Sequence, residues 1–255
     1  MVNLLDSASG RLVHTLPLTT GVWCPPVIDG ATGRAFVAIG SGSGPTMTGS
    51  VDVIDSATGT LVRATALPGG MARLAVDERA GRVLATTFGP AHRAVYNAVG
   101  GGGVMELIPT GSGHLLILDA RSGALLRTIA TGPGTTAVAI DTRRGRVFVT
   151  STGTIAPSGA YVGPGTLTVV DERRGTIVRR VPVNVNPTGL TFDEQTQHLF
   201  IAYQGSTIIP PTPDPWDWMP GWLRNRLPFV PHGASRSPTT STTSGGISVI
   251  DTAHL

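Results

Sequence analysis

The sequence predicts an all-β protein built from repeats of four short antiparallel strands. Short apolar and β-branched runs alternate with turn residues, and helical spacing is absent. The 34 glycines and 20 prolines supply many turns. The same pattern recurs in a fixed order, which is typical of repeat architectures. With 255 residues, 40% of them hydrophobic, we expect one domain over 1–255.

Two half-repeats alternate along the chain. The first is seen in VNLLDSASGRLVHTL, VDVIDSATGTLVRAT, LLILDARSGALLRTI and LTVVDERRGTIVRRV, and ISVIDTAHL is a last, shorter copy. The second is seen in PPVIDGATGRAFVAI, ARLAVDERAGRVLAT, AVAIDTRRGRVFVTS and GLTFDEQTQHLFIAY. Every copy carries an Asp directly after an apolar run. In the first half-repeat a Gly follows four residues later in each full copy.

The recurring Asp and Gly predict tight turns between strands. An Asp side chain can accept hydrogen bonds from backbone amides just ahead of it, and Gly adopts the left-handed conformation that closes such a turn. We therefore interpret these aspartates as structural residues rather than metal ligands or acids.

Each full repeat reads as strands a (AVAID), b (RVFVT), c (LTVVD) and d (TIVRRVPV). Residues 51–62 (VDVIDSATGTLV) and 137–150 (AVAIDTRRGRVFVT) resemble the repeats of the YVTN/YncE-like β-propeller family almost word for word. The resemblance covers nearly everything except the long inserts. It implies a β-propeller of four-stranded antiparallel blades, in a family whose members are often exported or lie at the cell surface.

The chain holds about four blade equivalents. It opens and closes at strand c, which gives three complete blades, a fourth without strand d, and a c–d pair at the N-terminus. Related propellers commonly have about seven blades. Three arrangements are open: part of a larger propeller, a closed four-bladed ring completed by the first d strand, or an arc that needs a second copy. We favour the first, because the extra c strand has no place in a closed ring and an arc exposes strand edges.

All long connections are expected at one end of the blades. In an antiparallel sheet the a–b and c–d turns share one end, here named the turn end, and the b–c and d–a connections share the other, the loop end. The expanded segments 40–50, 88–114, 152–165 and 204–246 are all b–c connections. Variable loops on a rigid scaffold commonly bind ligands, so we predict a binding surface at the loop end.

The 204–246 insert holds three of the four tryptophans, between a Pro-rich entry and a Ser/Thr-rich exit. Three alternatives are open for it: it folds back onto its own propeller as a lid, it docks on a partner protein or membrane surface, or it is disordered and has no role. Trp and Arg are over-represented at interfaces. The binding candidates at the loop end are Trp216, Trp218, Trp222, Arg224, Arg226, Tyr96, Tyr161, His92 and His114.

The sequence carries no motif for a nucleophile, a phosphate loop or a metal site, and we assign no catalytic residue, metal or cofactor. We expect a non-catalytic recognition propeller that binds a protein, a peptide or a cell surface. The alternative is a lyase or lactonase acting in the central channel, with Asn184 and Asn186 of a d–a connection as its polar candidates. General acid–base chemistry would need more ionisable groups than these.

The composition of the sequence further limits the functions that we expect. All 19 basic residues are Arg, the formal charge is only +3, and the arginines look scattered, so nucleic-acid binding is not expected.

Cys24 is the only cysteine, which excludes an intrachain disulfide and predicts a buried apolar residue. There is no apolar run long enough for a membrane span and no signal peptide in the sequence. Localisation rests on the family resemblance, which favours an extracytoplasmic or surface protein, and the oligomeric state stays open.

Overall fold

The protein is an open array of β-propeller blades, which confirms the predicted fold class. This computed structural model describes residues 2–6, 8–17, 21–41, 47–97, 103–152, 163–204 and 245–255. These ranges contain twenty strands, one 3₁₀ turn at Thr252–His254, and no α-helix. Nor do they contain a helix that could cross a membrane.

Five groups of strands follow one another along the chain. The N-terminal pair is β1 (Val2–Leu5) and β2 (Leu12–Leu16). Blade 1 consists of β3 (Gly21–Val22), β4 (Val27–Asp29), β5 (Arg34–Ser41), β6 (Thr48–Asp55) and β7 (Leu61–Leu67). Blade 2 consists of β8 (Gly70–Asp77), β9 (Arg82–Gly89), β12 (Ser112–Asp119) and β13 (Leu125–Pro133), with the hairpin β10 (Ala91–Asn97) and β11 (Gly103–Pro109) between β9 and β12. Blade 3 consists of β14 (Thr135–Asp141), β15 (Arg146–Ser151), β16 (Gly165–Asp171) and β17 (Thr176–Val183). Blade 4 consists of β18 (Pro187–Asp193), β19 (His198–Tyr203) and β20 (Gly246–Asp251).

Each blade is an antiparallel meander in chain order, as predicted. Blade 3 has the order β14-β15-β16-β17, and blade 2 has the equivalent order with β10 and β11 in a separate two-stranded sheet. The first strands of neighbouring blades lie side by side, since β14 contacts both β8 and β18. The a strands are therefore innermost.

The core lies between the blades, because successive residues of a strand face opposite sides of its sheet. On β15, Val147 and Val149 pack towards blade 2, while Phe148 packs towards blade 4 and its ring lies 5.3 Å from that of Phe192. All three β15 side chains are almost completely buried. A strand in the middle of the array is thus apolar on both faces.

The array is open rather than a closed four-bladed ring. Strand β2 pairs with β1, and blade 4 is a three-stranded sheet ending at β20. The N-terminal pair instead packs on blade 1, where Val2 and Leu16 contact the cluster around Val37. On the far side of blade 4, Ile247 is 68% exposed and Val249 is 55% exposed. Their equivalents in blade 3 are fully buried against blade 4.

One expectation was wrong in detail. Residues 88–114 were predicted as a loop, whereas β10 and β11 form a regular hairpin from Ala91 paired with Pro109 to Asn97 paired with Gly103. The reason is local, because Val95 and Tyr96 of β10 and Val104 and Ile108 of β11 are β-branched or aromatic residues that favour strands.

Trp23, the tryptophan outside the insert, packs on glycines of blade 1 and blade 2. Its ring covers Gly40 and Gly49, and it also touches Gly70. The next residue, Cys24, is buried as predicted, and desolvation raises the pKa of its thiol. Because these three glycines have no side chains, the large indole ring can pack against them where blade 1 begins.

Replacing Gly40 should destabilise the protein. In Gly40→Ala the new methyl group would overlap the Trp23 ring, and overpacking of this kind costs about 1–3 kcal/mol. Urea unfolding measures the loss. Gly163→Ala is the control, since a methyl group there meets no atom within 4 Å. Equal stability of the two variants would contradict the packing described for Trp23.

The glycines of the Asp–Gly turns adopt the left-handed conformation that the sequence predicts. Their φ angles lie between +62° and +68° at Gly10, Gly33, Gly59, Gly81, Gly123, Gly145 and Gly175. In blade 4 the same place is taken by Gln197, with φ of +60°. Residues with a Cβ pay a conformational penalty there.

Gly145 offers a test of that penalty without a steric contribution. No atom lies within 4 Å of a Cβ built at this position. We expect Gly145→Ala to lower the free energy of unfolding by about 1–2 kcal/mol, and Gly145→Asn to lower it less, because Asn tolerates the left-handed region better. Equal losses for Ala and Asn in urea unfolding would indicate a different cause.

Candidate functional site

The predicted binding residues at the loop end are described only in part. Trp216, Trp218, Trp222, Arg224, Arg226 and Tyr161 lie outside the described residues. For His92 and Tyr96 the structure gives the backbone alone, which places both on β10, paired with Ile108 and Val104. The β10–β11 hairpin is therefore the best-described part of this surface.

The base of the hairpin is fixed to the body of the propeller. Phe88 and Ala91, which flank the exit from β9, are both buried. The amide of Thr110 donates a hydrogen bond of 2.7 Å to the carbonyl of Pro90. Because Gly134, which connects β13 of blade 2 to β14 of blade 3, lies against Phe88 and Pro109, the hairpin starts from a packed base at the joint between these blades.

His114 is the third residue of β12 and lies close to this base. Its amide donates to Thr87 Oγ1 at 3.2 Å. The ring is half-buried, and burial lowers the pKa of the imidazole. Its Nδ1 is buried without a hydrogen-bond partner among the described residues. The ring is thus neutral at neutral pH, but no described group of three or more His, Cys, Asp or Glu forms a metal site.

A cluster of buried hydroxyls that was not expected from the sequence lies at the same joint. Thr135 Oγ1 lies 2.7 Å from Thr131 Oγ1 and 3.2 Å from Ser151 Oγ. The Thr168 hydroxyl donates to the carbonyl of Thr131 at 3.2 Å. These groups satisfy one another, so they stabilise the joint rather than present a reactive group.

The two candidate asparagines have local partners. Asn184 is exposed, and its Nδ2 donates to Ser248 Oγ of blade 4 at 3.0 Å. Asn186 is buried, with a left-handed φ of +53°, and its carbonyl accepts the amide of Gln204 at 3.1 Å. These contacts indicate a structural role for both asparagines in the d–a connection.

At the turn end the aspartates act as backbone acceptors. Asp55 Oδ1 accepts the amides of Ala57 and Thr58 at 3.0 and 2.9 Å. These hydrogen bonds, together with the ion pair from Arg34, lower the pKa of Asp55 to about 2. The same pattern lowers the pKa of Asp6, Asp119, Asp171 and Asp193. Their role is structural.

Two of the joints between blades are bridged by a glutamate that directly follows the aspartate at the end of an a strand. Glu78 of blade 2 accepts the amide of Gly30 of blade 1 at 2.9 Å. Glu194 of blade 4 accepts the hydroxyl of Thr142 of blade 3 at 2.6 Å and its amide at 3.3 Å. Adjacent blades are thus joined by a carboxylate across the turn end.

The joint between blades 2 and 3 is built differently. Here Glu172 of blade 3 meets Asp77 of blade 2, and both carboxyl groups are buried. Desolvation, followed by the nearby Asp77 charge, raises the pKa of Glu172 to about 7. A hydrogen bond between two carboxyl groups requires one proton, and a pKa of about 7 leaves Glu172 partly protonated at neutral pH.

The comparisons with known proteins concern the fold. No protein-family model matches the chain, and no curated protein matches it. The solved structure of hydrazine synthase from Kuenenia stuttgartiensis is similar with a TM-score of 0.50 and 12% identity, over 78% of this chain and 60% of that one. Sqt1 from Saccharomyces cerevisiae matches with a TM-score of 0.48 and 11% identity, over 78% of this chain and 49% of that one. A structure of the Dos1 propeller gives a TM-score of 0.38 and 10% identity, over 79% and 56%. The chain therefore spans about half to 60% of these proteins, and the likeness is one of architecture.

The protonated pair predicts a pH effect on stability. Between the ordinary pKa of Glu172 and the raised value of about 7, the unfolded chain loses the proton that the folded protein keeps. The contribution of this group to stability therefore falls as pH rises through that window. Glu172→Gln retains a donor for Asp77 without this loss, and we expect it to be roughly 1–2 kcal/mol more stable than the original protein at pH 8.

Urea unfolding at pH 5, 6, 7 and 8 measures the difference between variant and original protein. The difference should grow with pH. Glu78→Gln is the matched control, because Glu78 lies on the surface and contacts a single amide. A constant difference across this range for Glu172→Gln would contradict the shared proton.

Proposed function

We propose that this protein is a non-catalytic recognition propeller, of the YVTN/YncE type, that binds a protein, a peptide or a cell surface through its loop end. The observation that carries the proposal is the hairpin β10–β11, which leaves blade 2 at the loop end from a buried, hydrogen-bonded base. A rigid base lowers the entropic cost of binding, since less of the contact surface has to be ordered.

The polar groups at the joints between blades also favour recognition over catalysis. The hydroxyls of Thr131, Thr135 and Ser151 bond to one another, and Asn184 bonds to Ser248. Among the described residues, none of these groups is hydrogen-bonded to an acidic or basic side chain that would activate it. Such an arrangement supports a scaffold whose loops make the contacts.

The insert at 204–246 completes the proposal. Trp216, Trp218 and Trp222 would act as anchors, with Arg224 and Arg226 beside them, and Tyr96 and Tyr161 would extend the surface. Buried Trp and Arg carry much of the binding energy at many interfaces. An extracytoplasmic or surface location fits a partner of this kind.

The experiment compares partners captured by the intact chain and by two variants. One variant carries Trp216→Ala, Trp218→Ala and Trp222→Ala, and the other replaces residues 92–108 by a short Gly-Ser turn. Photo-crosslinking at residue 219, which none of the variants changes, read by quantitative mass spectrometry, should show partners whose recovery falls at least tenfold in both variants.

The control variant is Leu61→Ser with Val62→Ser, which removes exposed apolar groups from an outer strand of blade 1. It should retain the same partners. If the control loses them equally, the contacts are nonspecific; if no partner depends on the tryptophans or the hairpin, the loop end is not the binding surface.

A further inference from the structure

The turn end of the joint between blades 2 and 3 contains a pocket of about 260 Å³ that is lined by arginines and open to solvent, here called the cavity. Arg82, Arg127 and Arg173 form its polar wall, and Ile117 and Leu126 form its apolar wall. No described carboxylate lines it. The arginines look scattered along the sequence, whereas the fold brings these three together from separate turns and strands.

Contacts across the joint hold two of the arginines in place. Arg82 Nη1 of blade 2 donates to the carbonyl of Glu172 of blade 3 at 2.8 Å. The Arg127 side chain lies against Gly175 of blade 3, where a Cβ would come within 2.9 Å of its Nε. Glycine at 175 thus leaves room for the guanidinium group to cross the joint.

The charges in this cavity are poorly compensated. The neighbouring Arg143, Arg144 and Arg174 each form an ion pair, with Glu194, Asp141 and Asp171. Within the described part of the chain, Arg127 and Arg173 form none. The carboxyl group nearest to Arg82 is Glu172, at 3.9 Å, and its raised pKa leaves it partly neutral at pH 7.

We propose that this cavity binds a small organic anion, with its phosphate or carboxylate group between Arg82, Arg127 and Arg173 and its apolar part against Ile117 and Leu126. Guanidinium groups bind both oxyanions through paired hydrogen bonds. The volume exceeds that of a single ion, because one water occupies only about 30 Å³ of liquid. The site lies at the opposite end from the loop surface and does not rest on the proposed function.

Calorimetric titration of the full chain at low salt tests the proposal with three probes. Phenyl phosphate and benzoate distinguish the two oxyanions, and benzyl alcohol is their neutral counterpart. We expect saturable binding of at least one anion. Arg127→Gln and Arg173→Gln should each weaken it at least tenfold. Arg121→Gln, which removes the same charge from an exposed turn outside the cavity, should change it less than twofold.

A second measurement needs no variant: the Nε–H resonances of Arg127 and Arg173 should shift on titration with the bound anion, while that of Arg121 should not. Absence of saturable binding by either anion would overturn the proposal. Equal weakening by Arg121→Gln would do so too, because it would reveal general charge attraction. Binding of benzyl alcohol as tight as that of the anions would show an apolar site instead.

Discussion

The structure depends on packing every sheet on both of its faces. A single blade is too thin to bury a core, so Leu84 and Val83, neighbours on one strand, serve two different clusters. The tight Asp–Gly turns and the innermost position of the a strands follow from this requirement, because blades must stack closely at the centre and diverge outwards. Every functional position is then either at an end of the blades or at a joint between them.

The ends and joints differ in the freedom they leave for variation. The turn end repeats one solution, in which an aspartate accepts amides and a glycine closes the turn. Departures from that solution are therefore informative: Gln197 in a left-handed position, and Glu172 in place of the glutamate that joins the other blades. The second departure lies at the same joint as the arginine-lined cavity. The turn end therefore carries its candidate ligand site where the repeat is least regular.

The repeat predicted the architecture well because its signals are local. Alternation of apolar residues and the Asp–Gly spacing each act within a few residues, and the strands formed where these patterns placed them. The joint between blades 2 and 3 could not be predicted in this way. Arg82, Arg127 and Arg173 meet only after blades 2 and 3 have stacked, and whether Glu172 keeps its proton depends on burial that no local pattern encodes. The hairpin β10–β11 could have been predicted, because the long connection at 88–114 contains residues that favour strands.

The exposed face of blade 4 has a consequence for cooperativity. Each blade contacts only its neighbours, so the stability of the array resembles a chain of coupled units, each with its own opening free energy. Among the described residues, blade 4 has a neighbouring blade on one side and leaves Ile247 and Val249 in solvent, whereas blades 2 and 3 have one on both sides. Local opening should thus spread inward from the ends, and amide hydrogens of β9 and β15 should be the slowest to exchange. The hydroxyl cluster, the base of the hairpin and the arginine cavity all lie at the joint between those two strands, in the part of the array that opens last.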